Sequence, residues 1–338
     1  MKVPPFTWKV TGWFMIGWSA EYAVGDVRPL RYFGEDLVIY RDSTGELHVL
    51  EGHCKHLGAH IGHGGTVVGD CVECPFHGWR WGTRRCEHLH SLPTGPAQQG
   101  SAPADLPGSR AARLHLPVAP SGRRAAAVGA SRHVHQVPPQ FTAAPPTSTT
   151  GRTRSSPASP RTSRCIRRSW PKNGPDSAHF HYVHKATVTP VCLEWEAVDE
   201  EWRFLTGWPD ARSDDPNKMA LRIHSHFSGL GFAISAFEGS SNHRLIFACT
   251  PVDDEVSNMF YSIWWPRKKA GDTSDIPPDD VRERVEKQYL GTVWDDLEIW
   301  RYQKYVEHPA LAKVDAKPYM AMRKWALQFY DVSTAAPV

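Results

Sequence analysis

Apolar and polar residues alternate in two neighbouring stretches near the N-terminus. Leu37 and Ile39 precede the turn-forming residues Asp-Ser-Thr-Gly at 42–45, and Leu47 and Val49 follow them. Alternation with a period of two on both sides of a turn is typical of a β-hairpin with one buried face. The sequence therefore predicts a hairpin over residues 36–52.

The second half of the chain holds four more β-like runs, separated by short polar spacers such as residues 239–243. These runs cover residues 221–227, 232–237, 245–249 and 259–264. Two helical stretches follow, at 280–305 and 319–330. Strands followed by helices indicate an antiparallel sheet covered by helices. The predicted fold class is α+β, with an all-β N-terminal domain and this sheet-and-helix domain after it.

The first helical stretch places an acidic residue among apolar ones. Its stripe at intervals of three or four residues consists of Val285, Tyr289, Val293, Asp296 and Trp300. A carboxylate on an apolar helix face is costly unless it is paired or binds a metal. Asp296 is therefore a better candidate metal ligand than Asp295, whose neighbours at helical spacing include Gln288 and Gly291.

Two mixed cysteine-histidine pairs stand out in the N-terminal half. Cys54 and His56 form the first pair, and Cys74 and His77 form the second. Two cysteines on one iron and two histidines on the other are the ligands of a Rieske 2Fe-2S cluster, which passes on single electrons. Zinc sites of the Cys2His2 type usually have a cysteine pair followed by a histidine pair. The order in this chain favours the cluster over zinc.

Three more histidines lie close together in residues 173–184. They are His179, His181 and His184, and Asp176 precedes them. Two histidines and one carboxylate can hold Fe(II) on one face and leave positions open for oxygen and substrate. Helical spacing alone brings His181 nearer to His184 than His179 is, so the sequence pattern leaves the choice open.

The two cysteine-histidine segments resemble a known family. Residues 53–60 (HCKHLGAH) and 74–81 (CPFHGWRW) are similar to the Rieske domain in the oxygenase component of Rieske non-haem iron oxygenases. The resemblance implies a second, mononuclear iron held by His179, His184 and Asp296, with His181 as the alternative. It also implies a helix-grip catalytic domain, with the substrate cavity between sheet and helices.

The resemblance gives Asp176 a separate role. It implies that Asp176 bridges His179 to His77 of a neighbouring subunit, in a head-to-tail homotrimer that passes electrons between chains. A ferredoxin or flavin reductase would supply those electrons from NAD(P)H. Within the family, the segments 32–38, 296–300 and 323–330 are most similar to the 3-ketosteroid 9-alpha-hydroxylase branch and its sterol-desaturating relatives.

The implied substrate is a hydrophobic small molecule, oxidised with O2. A steroid or sterol is the first hypothesis, and an aromatic or other small hydrophobic compound is the alternative. Hydroxylation and desaturation both stay open. Six aromatic residues on the predicted strands could line the cavity or simply fill the core: Phe227, Phe232, Phe237, Phe247, Phe260 and Trp264.

Charge is distributed very unevenly along the chain. Residues 106–175 contain eleven arginines and Lys172 but no Asp or Glu, although the whole chain carries a net charge of only +3. Such a composition is typical of a disordered linker or a nucleic-acid-binding tail. Neither fits a chain that needs strands here to complete its Rieske domain, so nucleic acid is not expected as a partner. Our interpretation is that part of this segment is translated out of frame, with a native linker as the alternative.

These observations divide the chain into three parts. We predict a Rieske domain at 1–120, anomalous from about residue 88, then the anomalous segment at 121–172, and a catalytic domain at 173–338. No stretch is apolar for long enough to span a membrane. The seven cysteines are scattered, as is usual in a reducing compartment, so a cytoplasmic location is expected.

Overall fold

The computed structural model describes residues 10, 12–82, 148–149, 174–240, 242–253, 256–266, 283, 291–303 and 306–330. The chain forms two compact units. Described residues from Ile16 to 82 belong to the N-terminal unit, and those up to Met15 and from 148 onward belong to the C-terminal unit. Most of the segment without Asp or Glu, residues 106–175, lies outside the described residues. The structure therefore does not test the interpretation that this segment is translated out of frame. None of the described helices has the length and apolar character needed to cross a membrane.

The N-terminal unit contains two three-stranded antiparallel sheets. The predicted hairpin is confirmed, and an additional strand, which alternation had not revealed, pairs with it. The first sheet consists of β1 (Val27–Tyr32), β2 (Glu35–Arg41) and β3 (Leu47–Glu51). The second consists of β4 (Thr66–Val68), β5 (Cys71–Glu73) and β6 (Arg80–Trp81).

The turn of the hairpin is organised by a buried carboxylate. Asp42 is only 1% exposed. One of its oxygens accepts hydrogen bonds from the backbone N–H and hydroxyl of Thr44 and the backbone N–H of Glu46, at 2.7–2.9 Å. The other lies 2.7 Å from Nε2 of His48. Burial would raise the pKa of Asp42, but the hydrogen bonds from His48, Thr44 and Glu46 outweigh burial and hold that pKa well below its usual range.

Changing Asp42 to asparagine should therefore destabilise the N-terminal unit by about 1–3 kcal/mol at neutral pH. Because the folded-state pKa is lowered, the stabilisation is present above the unfolded pKa and is lost as the pH falls. The difference between wild type and variant should narrow below about pH 4. Thermal unfolding at several pH values measures the difference in stability. The control is Asp70→Asn, which removes an exposed carboxylate of the same unit. A difference that does not change with pH would contradict the charged role of Asp42.

The C-terminal unit is built on a seven-stranded sheet whose neighbouring strands are all antiparallel. All four predicted β-like runs are strands, and three further strands extend the sheet at its two ends. In spatial order the sheet contains β7 (Ser148–Thr149), β13 (Ser257–Pro266), β12 (Arg244–Pro251), β11 (Phe232–Gly239), β10 (Met219–Ser228), β9 (Glu201–Pro209) and β8 (Val191–Val198).

Three helices of this unit are described: α1 (Ala178–Tyr182), α2 (Gly291–Tyr302) and α3 (Lys313–Ala326). Two of them, α1 and α3, contact one side of the sheet. Trp325 of α3 lies 6.1 Å from the ring of Trp202, and Phe180 of α1 lies 5.1 Å from the ring of Trp208. Trp202 and Trp208 are six residues apart on β9 and so share one sheet face. We call it the helix side of the sheet. The predicted α+β class is confirmed.

The strand register separates the six aromatic residues singled out in the sequence. Phe227 of β10 lies directly opposite Trp202 of β9. Ala233 of β11 lies opposite Phe227 on one side and opposite Phe247 of β12 on the other. Phe237 follows Ala233 by four residues on β11. Directly opposed residues share a face, so these three phenylalanines are on the helix side. Phe232 and Phe260 both pair with Ala248 and lie on the other side. The side chain of Trp264 is outside the described part of the chain.

The predicted helix boundaries need correction. The stretch predicted at 280–305 is helical at Glu283 and at Gly291–Tyr302, and residues 284–290 are not described. The prediction that the last helix begins at residue 319 was wrong, because α3 begins at Lys313 and contains Pro318 in its second turn. Proline favours the first turn of a helix, so the sequence pattern placed the start too late.

Candidate cluster and iron sites

The two cysteine-histidine loops of the N-terminal unit have the same backbone design. The N–H of Cys54 donates to the carbonyl of Ala59, and the N–H of Gly58 donates back to Cys54, both at 2.8 Å. Cys74 repeats this arrangement with Trp79 and Gly78, at 2.7 and 3.0 Å. Gly58 and Gly78 have φ values of +77° and +71°, a backbone conformation that residues other than glycine rarely adopt. The two loops therefore present their side chains in equivalent ways.

Cysteines and histidines occupy different depths in these loops. Cys54 and Cys74 are 3% and 2% exposed and pack in a core with Ile61, Val72 and Trp81. His56 is exposed, and its ring stacks on Trp79 at 4.6 Å. The rings of His56 and His77 are 4.8 Å apart. The loops thus place two thiols inside and two imidazoles near the surface.

The thiols need a positive partner to be charged. Burial raises the pKa of the Cys54 thiol, and the neighbouring Cys74 thiol raises it further. Metal ligation requires thiolates, and a bound metal supplies the charge that stabilises them. Both cysteines are free thiols in the structure. This donor set fits a cluster with two sulfur and two nitrogen ligands.

A second group of possible metal ligands lies in the C-terminal unit. The donor atoms of His179, His184 and Asp296 all lie within 4.8 Å of one another. Nε2 of His184 is 3.3 Å from Oδ1 of Asp296, and these side chains are 9% and 14% exposed. Buried Nδ1 of His184 has no hydrogen-bond partner among the described residues. The three side chains converge from α1, the segment after it, and α2.

The imidazole of His179 is oriented by the backbone carbonyl of Asp176, three residues earlier in the chain. Its Nδ1 lies 2.5 Å from the carbonyl oxygen of Asp176, which can only accept a hydrogen bond. Nδ1 must therefore carry the proton, so Nε2 is free of a proton and can bind a metal. Burial lowers the pKa of His179 and favours the neutral imidazole that a metal requires, although Asp296 opposes this effect.

His181 lies apart from this group. Its side chain is exposed, and its Nδ1 is 3.0 Å from the carbonyl oxygen of Ala186. The helical-spacing argument favoured His181 because it assumed a regular helix through His184. In the structure α1 ends at Tyr182, so that spacing does not apply. On α2, Asp295 is exposed whereas Asp296 is half-buried and beside His184.

Asp176 adjoins His179 differently from what the resemblance implies. Its carbonyl, not its carboxylate, faces the His179 imidazole, while one carboxylate oxygen lies 3.4 Å from the backbone N–H of His179. Burial raises the pKa of Asp176, the interaction with His179 lowers it, and the nearby Asp315 raises it again. Asp315 carries no signal in the sequence pattern, because it lies in the first turn of α3, before the predicted start of that helix at residue 319.

Comparison with known families accounts for both parts of the chain. Residues 12–100 match the Rieske [2Fe-2S] domain. Residues 159–330, just over half of the chain, match the 3-ketosteroid 9alpha-hydroxylase C-terminal domain. The chain belongs to this 3-ketosteroid 9alpha-hydroxylase family. It is therefore a Rieske non-haem iron oxygenase, with a Rieske 2Fe-2S cluster and a mononuclear iron as its cofactors, as predicted.

Curated relatives resemble this oxygenase over most of its length. A "3-ketosteroid-9-alpha-monooxygenase, oxygenase component" of Rhodococcus rhodochrous is 28% identical over 334 residues, covering 94% of this chain and 80% of the relative. One from Mycobacterium tuberculosis is also 28% identical, over 96% and 83% of the two chains. "Cholesterol 7-desaturase nvd" of Xenopus laevis is 24% identical, over 95% and 71%.

Solved structures share the fold of this oxygenase. NdmA of Pseudomonas putida CBB5 with caffeine has a TM-score of 0.61 at 20% identity, covering 89% of this chain and 84% of that one. Dicamba monooxygenase bound to dicamba has a TM-score of 0.58 at 16% identity, covering 96% and 98%. At these identities the likeness concerns the fold alone.

The two family matches leave residues 101–158 between them. Most of the acid-free segment falls there, and its out-of-frame origin stays a prediction. The nucleotide sequence tests it directly. A reading frame that is uninterrupted and free of ambiguous single-base runs would contradict the out-of-frame interpretation and leave the native linker.

Proposed function

We propose that this oxygenase is the terminal component of a multicomponent monooxygenase and hydroxylates a 3-ketosteroid or a related sterol. The observation that carries the proposal is the convergence of His179, His184 and Asp296 in the same chain as the two cysteine-histidine loops. An electron carrier needs only the loops. A chain with both sets of ligands can receive electrons at one and use them at the other.

The proposal assigns each ligand set a role. Cys54, His56, Cys74 and His77 hold the cluster, and His179, His184 and Asp296 hold the mononuclear iron. When bound, these groups supply one-electron transfer and O2 activation, which protein side chains alone do not provide. The protein orients the ligands: the Asp176 carbonyl fixes the tautomer of His179, and α2 holds Asp296 beside His184.

Electrons reach the iron site through other components in this proposal. A ferredoxin or flavin reductase supplies them from NAD(P)H, in the cytoplasm. The chain acts as a homotrimer, in which Asp176 links His179 to His77 of a neighbouring subunit. Within one chain, the His179 imidazole bonds to the Asp176 carbonyl and the carboxylate reaches only the backbone N–H of His179, so the proposed bridge requires the carboxylate to turn toward the imidazole.

The substrate class rests on the helix side of the sheet and on the relatives. Phe204, Phe227, Phe237 and Phe247 lie on that side and are all buried, so the interior on the helix side of the sheet is apolar. An apolar surface favours a substrate that is mostly hydrocarbon. Several of the curated relatives are named for 3-ketosteroids, and one is named for cholesterol.

The proposed reaction balances with one O2 and two external electrons. Hydroxylation breaks one substrate C–H bond, forms C–OH, and reduces the other oxygen atom to water with two protons. The name of the Xenopus relative favours desaturation as a second candidate. In that case the substrate loses two hydrogens and both oxygen atoms leave as water.

Product analysis with isotopic oxygen distinguishes these reactions. The purified oxygenase, loaded with iron and supplied with a surrogate reductase and NADH, is incubated under labelled O2 with androstenedione, cholesterol or caffeine. We expect a steroid product that contains one labelled oxygen. A product with two hydrogens fewer and no label would indicate desaturation, and turnover of caffeine alone would overturn the steroid assignment.

The iron content of the same preparation tests the class of protein. An oxygenase with both centres should contain about three irons per chain, whereas a pure carrier should contain about two. The reduced protein should also give a Rieske signal in electron paramagnetic resonance. A colourless protein with bound zinc would contradict the proposal.

A further inference from the structure

The segment that carries Asp176 and His179 is tied to the last helix of the sheet domain. The hydroxyl of Ser177 donates a hydrogen bond of 2.7 Å to Oδ1 of Asp315, which is 138 residues away in the chain. Ser177 and Asp315 are only 5% and 7% exposed. This contact connects α3 to the residue between Asp176 and the beginning of α1.

Ser177 gives up its usual local role to make this contact. Ser177 is the N-cap of α1, where serine normally accepts a hydrogen bond from the first turn, yet its side chain makes no capping bond. Asp315 is in the first turn of α3, where an acid commonly reaches back to the N-cap, and in the structure its Oδ1 accepts the Ser177 hydroxyl. The two side chains bond to each other instead.

The position of Asp315 is otherwise unfavourable for a carboxylate. It is buried, and its Oδ1 accepts the Ser177 hydroxyl. Burying a carboxylate costs free energy, and one hydroxyl partner only partly offsets that cost. The favourable end of the α3 dipole is a further compensation.

We propose that Asp315 is a positioning residue of the iron site. By accepting the Ser177 hydroxyl, it fixes the short segment in which the Asp176 carbonyl holds the His179 imidazole. The inference rests on the proposed role of His179 as an iron ligand. Asp315 acts on the metal through Ser177 and the backbone, and it does not itself bind the metal or the substrate.

The test measures Fe(II) affinity, which does not depend on turnover. The full chain with its cluster assembled is dialysed against graded Fe(II), and iron beyond the cluster is counted. Loss of a residue that orients a metal ligand typically weakens metal binding about 10- to 100-fold. We expect Ser177→Ala and Asp315→Ala each to weaken Fe(II) binding by about 10-fold or more, and the double variant to weaken it no further than the stronger single change.

Conservative variants and a matched control separate positioning from stability. Ser177→Thr keeps the hydroxyl and should restore most of the affinity, and Asp315→Asn keeps an acceptor oxygen and should lose less than Asp315→Ala. Thr250→Val removes another buried hydroxyl bond of the same unit, from Thr250 to the carbonyl of Met15. It should lower the melting temperature about as much as Ser177→Ala while leaving Fe(II) affinity unchanged.

Two results would overturn the role of Asp315. One is wild-type Fe(II) affinity in Ser177→Ala and Asp315→Ala, and the other is an equal loss of affinity in Thr250→Val. A wild-type chain that binds no iron beyond the cluster would instead overturn the proposed function, and with it any role of Asp315 at an iron site.

Discussion

Changing His184 to alanine should remove the mononuclear iron and abolish product formation. The side chain approaches Asp296 to 3.3 Å and is only 9% exposed, so its nitrogen occupies a shielded position beside the carboxylate. A site left with one histidine and one carboxylate binds Fe(II) poorly. Iron content should fall from about three to about two per chain, with the Rieske signal unchanged. Iron analysis and electron paramagnetic resonance on the same sample measure both quantities.

His181→Ala is the matched control for this change. It removes an imidazole three residues away that is exposed and faces the carbonyl of Ala186. This variant should keep the full iron content and most of the activity. Loss of iron in His181→Ala with retention in His184→Ala would show that the ligand assignment is wrong.

Changing Asp176 to asparagine should separate iron binding from electron transfer. The His179 imidazole bonds to the backbone carbonyl of Asp176, which asparagine retains, so both metal centres should stay loaded. The charged carboxylate that we propose as the link to a neighbouring subunit is lost. Turnover should fall by about 10- to 100-fold. Rapid-mixing spectroscopy should show a reduced cluster that stays reduced when substrate and O2 are added.

Asp199→Asn provides a control for this second prediction. Asp199 is an exposed acid of the same unit with a φ of +50°, a conformation that asparagine tolerates well. Its replacement should leave cluster reoxidation unchanged. Full turnover in Asp176→Asn would exclude the bridging role, and loss of iron in that variant would indicate that the carboxylate supports the iron site itself.

The sequence pattern was sufficient for the parts of the fold with strong periodicity. The hairpin around residues 42–45 and strands β10 to β13 follow from alternation and turn residues alone. Strand β8 could not be predicted in this way, because it lies at the edge of the sheet and most of its residues are exposed on both faces. A strand without a buried face has no alternating pattern to detect.

In the candidate sites, too, local features could be predicted from the sequence and long-range contacts could not. The two Cys-His loops are local, so their spacing identified them. The choice between His179 and His181 depended on where α1 ends, which spacing could not tell. The structure brings His179, which the resemblance favours, close to His184 and Asp296, and its role as a ligand stays a prediction. The contact between Ser177 and Asp315 joins residues 138 positions apart, so no local pattern could reveal it.

The shared design of the two ligand loops bears on the speed of electron transfer. Each loop is closed by a pair of backbone hydrogen bonds between 2.7 and 3.0 Å and turns at a glycine, so the Cys54 and Cys74 sulfurs are held from both sides of the site by stiff frames. A frame that does not relax when one electron arrives or leaves keeps the reorganisation energy small. For the proposed cluster, such frames favour electron exchange with little movement of the N-terminal unit.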